Sequence, residues 1–282
     1  MDILLAINKP ANVTSHDVTQ KIKRKLRVKV GHMGTLDPQA EGLLILLTGR
    51  KTKFLPYLQA SPKVYEGRLL LGTKTDTGDI WGEVLEQHPV DSLTESSIQN
   101  VFQSFIGLQK QRVPMVSAKK VAGKKLYEYH RQKIDVFVQY HDIEIVELNY
   151  LGYDKERQEI AFEAKVSTGT YIRTLCEDIG ERLGTVATMS HLVRTGIGPY
   201  HLKQAGRLEE VLENIQPYIL DEKIALKQYK MVTLEDITPV YHGKPLTLNE
   251  EASPILIVHK DEIVAVYKKG EDQLYYNERG LW

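Results

Sequence analysis

Gly42-Leu43-Leu44-Ile45-Leu46-Leu47-Thr48-Gly49 is the stretch that most limits how this chain can fold. Its run of consecutive aliphatic residues has no polar face to turn to water. Short and bounded by turn residues, it reads as a buried strand or a short buried helical turn. Three residues upstream ends the stretch Gly31-His32-Met33-Gly34-Thr35-Leu36-Asp37-Pro38. Gly31 and Gly34 can take positive φ at little cost, so the backbone can turn tightly or approach a ligand. Pro38 biases Asp37 toward an extended conformation. A carboxylate and an imidazole are therefore expected on a tight loop, with Asp37 at its exit and a buried element as anchor. Functional groups often sit on loops held in this way. An Asp-Pro turn beside a core strand uses the same residue types.

At 282 residues the chain can bury a sizeable core as one large domain or two. Lys plus Arg equal Asp plus Glu, at 37 each, so total charge gives no support to nucleic-acid binding. Any such reading must rest on local clusters. The single cysteine, Cys176, excludes an intramolecular disulfide and a multi-cysteine metal site. Met1 to Pro10 lacks a basic segment followed by a long apolar core, so no signal peptide is expected. No apolar run approaches the roughly 20 residues that cross a bilayer. A cytoplasmic protein is expected.

Ile3 to Ile7 reads as a strand ending at Asn8-Lys9-Pro10. Val18, Ile22 and Leu26 then recur at helical spacing, with Ser15 as the expected N-cap. The polar side of that helix carries Lys21, Lys23, Arg24 and Lys25, and Arg27 and Lys29 follow. This densest basic cluster is either a solvated face or a phosphate-binding face beside the Gly31–Pro38 loop. Lys51 to Leu58 reads as a short helix and Lys63 to Leu71 as a strand containing Tyr65. The polar loop Gly72–Gly82 holds Asp76 and Asp79 but lacks the spacing and terminal glutamate of a calcium-binding EF-hand. Thr94 is expected to cap a helix through Ile98, Val101, Phe102 and Phe105, stopped by Gly107.

Arg112 to Ala118 reads as extended and leads to a second basic patch, Lys119 to Tyr129. Its lysines, including Lys120, Lys124 and Lys125, interleave with Tyr127 and Tyr129, as suits phosphate contact with base stacking, or an exposed hairpin or helix start. Strands are expected at Val136–Val146 and Glu159–Val166. Ser167 to Arg173 opens a helix whose apolar stripe is Ile172, Leu175, Cys176, Ile179 and Leu183, with Gly184 as its stop. Cys176 lies on that stripe and reads as core. Arg173 is less comfortable, because a cation in the first turn opposes the helix dipole. A nearby carboxylate would compensate, and Asp37 is a candidate. Val186 to Val193 is expected to be extended and Arg207 to Ile215 helical. Lys230 to Trp282 reads as a small all-β module with a hairpin at Lys260-Asp261.

Taken together, the motifs resemble the TruB family of tRNA pseudouridine synthases. Lys9-Pro10-Ala11-Asn12-Val13-Thr14-Ser15 resembles the family's opening motif, with Asn12 where glycine is usual. Asn tolerates left-handed φ, so the turn should survive. Gly31-His32-x-Gly34-x-Leu36-Asp37-Pro38 with Gly42 resembles the catalytic segment. Lys63-x-Tyr65, the Thr75–Asp79 loop, Pro114-x-x-Ser117-Ala118-x-Lys120-x-x-Gly123-x-x-Leu126-Tyr127-Glu128 and Gly169-Thr170-Tyr171-Ile172-Arg173-Thr174 follow in family order. Val113 and Val116 replace a frequent proline and a frequent tyrosine.

The resemblance implies an α+β pseudouridine synthase core over residues 1–229, with a mixed, largely antiparallel sheet flanked by helices. Residues 230–282 would be a reduced, β-barrel-like PUA module that binds RNA. The implied reaction converts uridine 55 in the T arm of elongator tRNAs to pseudouridine, without cofactor, metal or nucleotide energy. Asp37 would be the nucleophile, attacking either the ribose C1′ or the uracil ring, with Arg173 favouring its ionised form. The target base must first be flipped from its stack. His32 would fill or brace the vacated space, and Tyr65 would stack on the uracil and relay a proton. Tyr171 and Leu192 would line the pocket, with Asp79 supporting the network. The basic clusters would hold the RNA backbone without reading sequence. A monomer without required protein partners is implied. The competing readings are the guide-dependent ribonucleoprotein branch of the superfamily and a non-catalytic RNA-binding protein.

Overall fold

A computed structural model describes residues 1–59, 61–117, 119–121, 123–132, 134, 136–137 and 139–282. In chain order the first half is β1 (Leu4–Lys9), α1 (Ser15–Leu26), β2 (Val30–His32), β3 (Glu41–Thr48), a 3-10 turn (Gly49–Phe54), α2 (Leu55–Leu58), β4 (Lys63–Leu71), β5 (Thr73–Thr75), β6 (Val84–Gln87), α3 (Glu95–Gln103) and β7 (Gly107–Arg112). The small hairpin β8 (Lys120–Val121) and β9 (Lys124–Lys125) precedes α4 (Leu126–Arg131), β10 (Tyr140–Asp154), β11 (Glu159–Val166), α5 (Ile172–Arg182) and β12 (Ala187–Ile197). Then come β13 (Tyr200–His201), β14 (Gly206–Arg207), α6 (Leu208–Glu213), β15 (Ile219–Leu220), α7 (Glu222–Ala225), β16 (Lys230–Thr233), α8 (Thr238–Tyr241), β17 (Ile255–His259), β18 (Glu262–Lys269) and β19 (Tyr275–Gly280).

The aliphatic run is β3, a strand buried on both faces. Leu43, Ile45 and Leu47 pack into one core and Leu44 and Leu46 into another. A strand covered on both sides needs no polar alternation, which is why the run is continuous. β4 instead alternates. Lys63, Tyr65, Leu69 and Leu71 point inward, and Glu66 and Arg68 point to solvent. Tyr65, Leu69 and Leu71 meet α3 and α5 in the largest core, around Phe102, Phe162, Leu175 and Cys176.

The strands form one large mixed sheet in the order β14-β1-β3-β12-β4-β11-β10-β7. Most pairings are antiparallel; β1 with β14 and β3 with β12 are parallel. The β3–β12 pairing spans only Val193↔Glu41 and Arg194↔Gly42, a narrow seam between two halves of the sheet. The loop carrying Asp37 enters β3 at this seam.

Several boundaries differ from the sequence expectation. α1 is capped by Thr14, not Ser15: Thr14 Oγ1 accepts from the Asp17 amide and Asp17 returns the bond to the Thr14 amide. Ser15 is instead buried inside the first turn. Asn12 takes φ +63°, the left-handed turn expected of it. The α3 helix ends at Gln103, and Gly107, at φ +106°, opens β7 and does not close the helix. The next strand starts at Tyr140, not Val136, and runs on to Asp154, with bulges where it pairs with β11. The expected stretches at Ala118, Ala122 and Val138 fall partly outside the described residues.

The C-terminal strands form a separate sheet, β16-β17-β18-β19, making a small β domain. Its hairpin turns at Lys260 (φ +46°) and Asp261 (φ +68°), the paired positive φ values of a tight two-residue connection. The short α8, with Pro239 in its first turn, interrupts the expected all-β pattern. One side of this sheet shares a core with the rest of the chain: Leu256, Val258, Ile263 and Val266 pack with Phe54, Leu58 and Leu226. Lys53 Nζ donates to the Gly280 and Trp282 carbonyls across the same junction.

Gly42 marks the tightest point of the seam. It lies at φ +103°, and a Cβ there would fall 2.4 Å from the Arg194 carbonyl oxygen. Gly42→Ala is expected to lower stability by about 3 kcal/mol or more, because strain and overlap combine. Gly184→Ala, at φ +81° with open space around it, should lose only about 1–2 kcal/mol. Urea unfolding midpoints of the two variants check the difference.

Candidate active site

The Gly31–Pro38 loop has little backbone pairing of its own after β2, so side chains from other elements satisfy it. Met33 anchors it in one core and Leu36 in another. Ser15 Oγ accepts from the Leu36 amide at 2.9 Å and donates to the Leu36 carbonyl at 3.0 Å. Arg194, 1% exposed, donates to the carbonyls of Leu43 at 2.8 Å, Gly34 at 3.0 Å and Thr35 at 3.4 Å. Lys9, fully buried, donates to the carbonyls of Pro10, Val13 and Pro38. Burial pushes the Lys9 ammonium down to about 8, against the pull of Glu41 and Asp37. Gly34 takes φ +125°, and Asp37 leaves the loop toward β3 as its spacing suggested.

Arg173 Nε pairs with Asp37 Oδ2 at 3.0 Å. The arginine is buried, and its two terminal nitrogens donate to the carbonyls of Thr77 and Val116, each at 2.8 Å. One carboxylate and two carbonyl dipoles thus offset the cation that sits awkwardly in the first turn of α5. The Asp37 side chain remains 42% exposed, so its carboxylate is held from one side and open on the other.

The open side faces a cavity of about 360 Å³. Asp37, Tyr65, Tyr171, Arg173 and Leu192 all line it, together with Lys63, Ser117, Thr168 and Arg194. Registers explain the grouping: Tyr65 pairs with Arg194 and Gly67 with Leu192 across β4 and β12. Tyr171 is fixed by Gln111, whose side chain accepts from its amide at 2.8 Å and donates to its carbonyl at 3.0 Å. The His141 ring meets the Tyr171 ring edge-on at 5.8 Å. Ser117 Oγ is buried without a hydrogen-bond partner among the described residues.

The other residues singled out from the sequence lie around this group. His32 is outside the cavity lining; its Nδ1 accepts from the Gly34 amide at 3.3 Å, and burial, with Arg194 nearby, lowers its pKa. Asp79 is also outside the lining. Its carboxylate accepts from Thr77 Oγ1 at 2.8 Å and the Trp81 amide at 3.2 Å, and so shapes the turn whose Thr77 carbonyl holds Arg173. Lys21, Lys23, Arg24 and Lys25 are exposed on α1. Lys120 and Lys124 are exposed on the β8–β9 hairpin, with Lys125 half-buried. Cys176 is buried in the core and burial pushes its thiol pKa well up, which suits packing and not nucleophilic attack.

Residues 20–172 match the family described as TruB family pseudouridylate synthase, N-terminal domain. Residues 173–229 match the tRNA pseudouridylate synthase B C-terminal domain. The chain belongs to the TruB family of pseudouridylate synthases. The tRNA pseudouridine synthase B of Oceanobacillus iheyensis is 38% identical over 96% of this chain and 95% of its own. That of Oenococcus oeni is 39% identical over 99% of this chain and 97% of its own. Among solved structures, a chain of a Cbf5-Nop10-Gar1 complex shares the fold, with a TM-score of 0.74 and 23% identity over 99% of this chain and 85% of that one.

In this TruB-family chain the sequence pointed to Asp37, Tyr65, Tyr171, Arg173 and Leu192, and the fold brings these together. It did not single out Lys63, Arg194 or Ser15 as parts of the site. A signal existed for two of them: Lys63 has the inward parity of Tyr65, and Arg194 that of Leu192. A charged residue at a core position of an alternating strand needs partners. Ser15 carried no comparable signal, because its role depends on a loop twenty-one residues away in sequence.

Ser15→Ala would leave the Leu36 amide and carbonyl buried and unpaired. A stability loss of about 1–3 kcal/mol is expected, with faster hydrogen exchange at the Leu36 amide. Unchanged exchange there would show that the loop does not depend on the hydroxyl.

Proposed function

We propose that this chain isomerises uridine 55 in the T arm of tRNA to pseudouridine, acting alone, with Asp37 as nucleophile. The observation that carries the reading is the Asp37–Arg173 ion pair at 3.0 Å, open on one side to a cavity lined by Tyr65, Tyr171 and Leu192. The family membership supplies the reaction class. The uridine leaves its stack and enters the cavity. The N1–C1′ bond breaks, the base turns, C5 bonds to C1′, C5 loses its proton and N1 gains one. Asp37 attacks C1′ or the uracil ring to open this sequence, and Tyr65 stacks on the base and relays the C5 proton. Tyr171 and Leu192 confine the ring during its rotation, and Asp79 acts through Thr77 on Arg173. His32 braces the space left in the RNA loop. Residues of the chain carry these roles without a cofactor.

The basic residues of α1 and of the β8–β9 hairpin hold the stem backbone by charge. Residues 1–229 form the catalytic unit, and residues 230–282 are a reduced PUA-like module that adds RNA contacts. The protein works as a cytoplasmic monomer. No described helix is long and apolar enough to cross a membrane. A guide-dependent assembly is the second reading, favoured by the fold shared with a chain of a Cbf5-Nop10-Gar1 complex and a chain of an H/ACA RNP bound to a substrate RNA. Their identity to this chain is only 22–23%, against 38–39% for the two tRNA pseudouridine synthases B.

Tritium release from C5-labelled uridine in a bare tRNA transcript tests the proposal. Wild-type turnover is expected without guide RNA or other proteins; none under these conditions would favour the second reading. Asp37→Ala should abolish release while filter binding of the tRNA persists. Binding should weaken steeply with salt, and each of Lys23→Ala, Arg24→Ala, Lys124→Ala and Lys125→Ala should lower the salt slope by about 1. A flat salt response would remove the phosphate role of these patches.

A further inference from the structure

Lys63 is a buried ammonium with an unfinished set of partners. It is 6% exposed and projects from the inward face of β4 beside Tyr65. Its Nζ donates to Thr168 Oγ1 at 2.9 Å and reaches the Ser61 carbonyl at 3.4 Å. An ammonium carries three donors. Its stem packs against the loop, where a Cβ on Gly34 would stand 3.2 Å from Lys63 Cε. Among the described residues no carboxylate pairs with it. The one carboxylate lining the cavity, Asp37, is engaged by Arg173. The other cation of the lining, Arg194, is committed to three carbonyls. Among the described residues, three cations and one carboxylate therefore surround the cavity, although buried charges are ordinarily paired.

A ligand that completes this site must bring negative charge to Lys63. Uracil and ribose are neutral, so within a uridine substrate only the flanking phosphodiesters can do so. We infer that Lys63 binds a phosphodiester next to the target uridine, anchoring the flipped nucleotide by its backbone while Asp37 acts on its glycosidic carbon or base. This inference rests on the uridine-isomerising reading above. Ser117 Oγ, buried and without a partner among the described residues, lies in the same lining and is a further polar group left for the ligand.

The assignment has a pH signature. Burial, with Arg194 as the next cause, pushes Lys63 down to about 8. The other titratable and charged groups of the lining are Asp37 before β3, Tyr65 on β4, Tyr171 and Arg173 at the start of α5, and Arg194 on β12. A phosphodiester favours the ammonium and raises its pKa again. Binding then takes up a proton, so affinity holds below about pH 8 and falls as pH rises past it. Lys9 titrates in the same range, but it faces the carbonyls of Pro10, Val13 and Pro38, so its effect is indifferent to the charge of one RNA linkage.

The test uses a T-arm hairpin RNA with a single uncharged methylphosphonate at the linkage 5′ or 3′ of the target uridine. Single-turnover tritium release gives the half-saturating enzyme concentration. At one of the two linkages, neutralisation should weaken wild-type binding about tenfold and flatten its loss between pH 7 and 9.5, leaving only the part that Lys9 sets. Lys63→Gln should weaken binding of the unmodified hairpin about tenfold, and the neutral linkage should add nothing further. Lys63→Arg should restore part of the loss. Losses that multiply, or indifference to both linkages, would overturn the phosphate assignment, since a merely structural lysine would not sense RNA charge. If Lys63→Gln does not fold, the wild-type pH response on charged and neutral hairpins decides alone. Absence of turnover on the unmodified hairpin would strike the uridine reading itself, and with it this inference.

Discussion

Donation from buried cations to backbone carbonyls is the interaction on which this site depends. The loop before β3 cannot pair its peptide groups in a sheet, and burying them unpaired would cost about 1–3 kcal/mol each. Arg194 and Lys9 supply the missing donors, and Ser15 supplies both a donor and an acceptor. These three side chains come from β12, β1 and α1, so distant stretches of sequence converge on eight residues. Arg173 repeats the device one step further out. It takes two carbonyls for itself and uses its remaining nitrogen to hold Asp37. The same low-polarity surroundings that strengthen these bonds make each of them costly to lose.

The seam between β3 and β12 gives the cavity its location. Parallel pairing there is too short to close the sheet firmly, and Gly42 lets the two backbones approach where a side chain would not fit. Beyond it, β4 and β12 carry side chains of matching parity toward the gap, and the first turn of α5 closes it from above with Tyr171 and Arg173. The C-terminal sheet stands apart from this arrangement. It buries one face against Phe54 and Leu58, and it lends no residue to the cavity lining described above.

What the sequence disclosed depended on how local the governing physics was. β4 was legible to the residue because alternation over nine positions is a local pattern. The buried run of β3 and the two-residue turn at Lys260-Asp261 were legible for the same reason. Thr14 and Ser15 both suit a helix start, and the choice between them was made by Leu36, a residue no local window includes. The ends of β10 escaped because β7 pairs only with Tyr140–Ile145 while β11 carries the strand on to Asp154 through two bulges, which break the two-residue rhythm. Arg173 was flagged by breaking a helix rule, and the ion pair that resolves it is there. Arg194 broke a rule just as plainly, but in an extended run a lone arginine reads as surface until its strand's parity is known.

Met33 and Leu36 lie three residues apart and are sunk into two different cores, one belonging to each half of the large sheet. The loop between them behaves as a rivet across a joint. Sliding of one half past the other cannot leave it slack; the shear is delivered directly to the peptide that bears the Asp37 carboxylate. Mechanical stiffness of the whole β scaffold is thereby converted into aim at a single atom, and a softened joint anywhere along it would be felt as lost accuracy well before it was felt as unfolding.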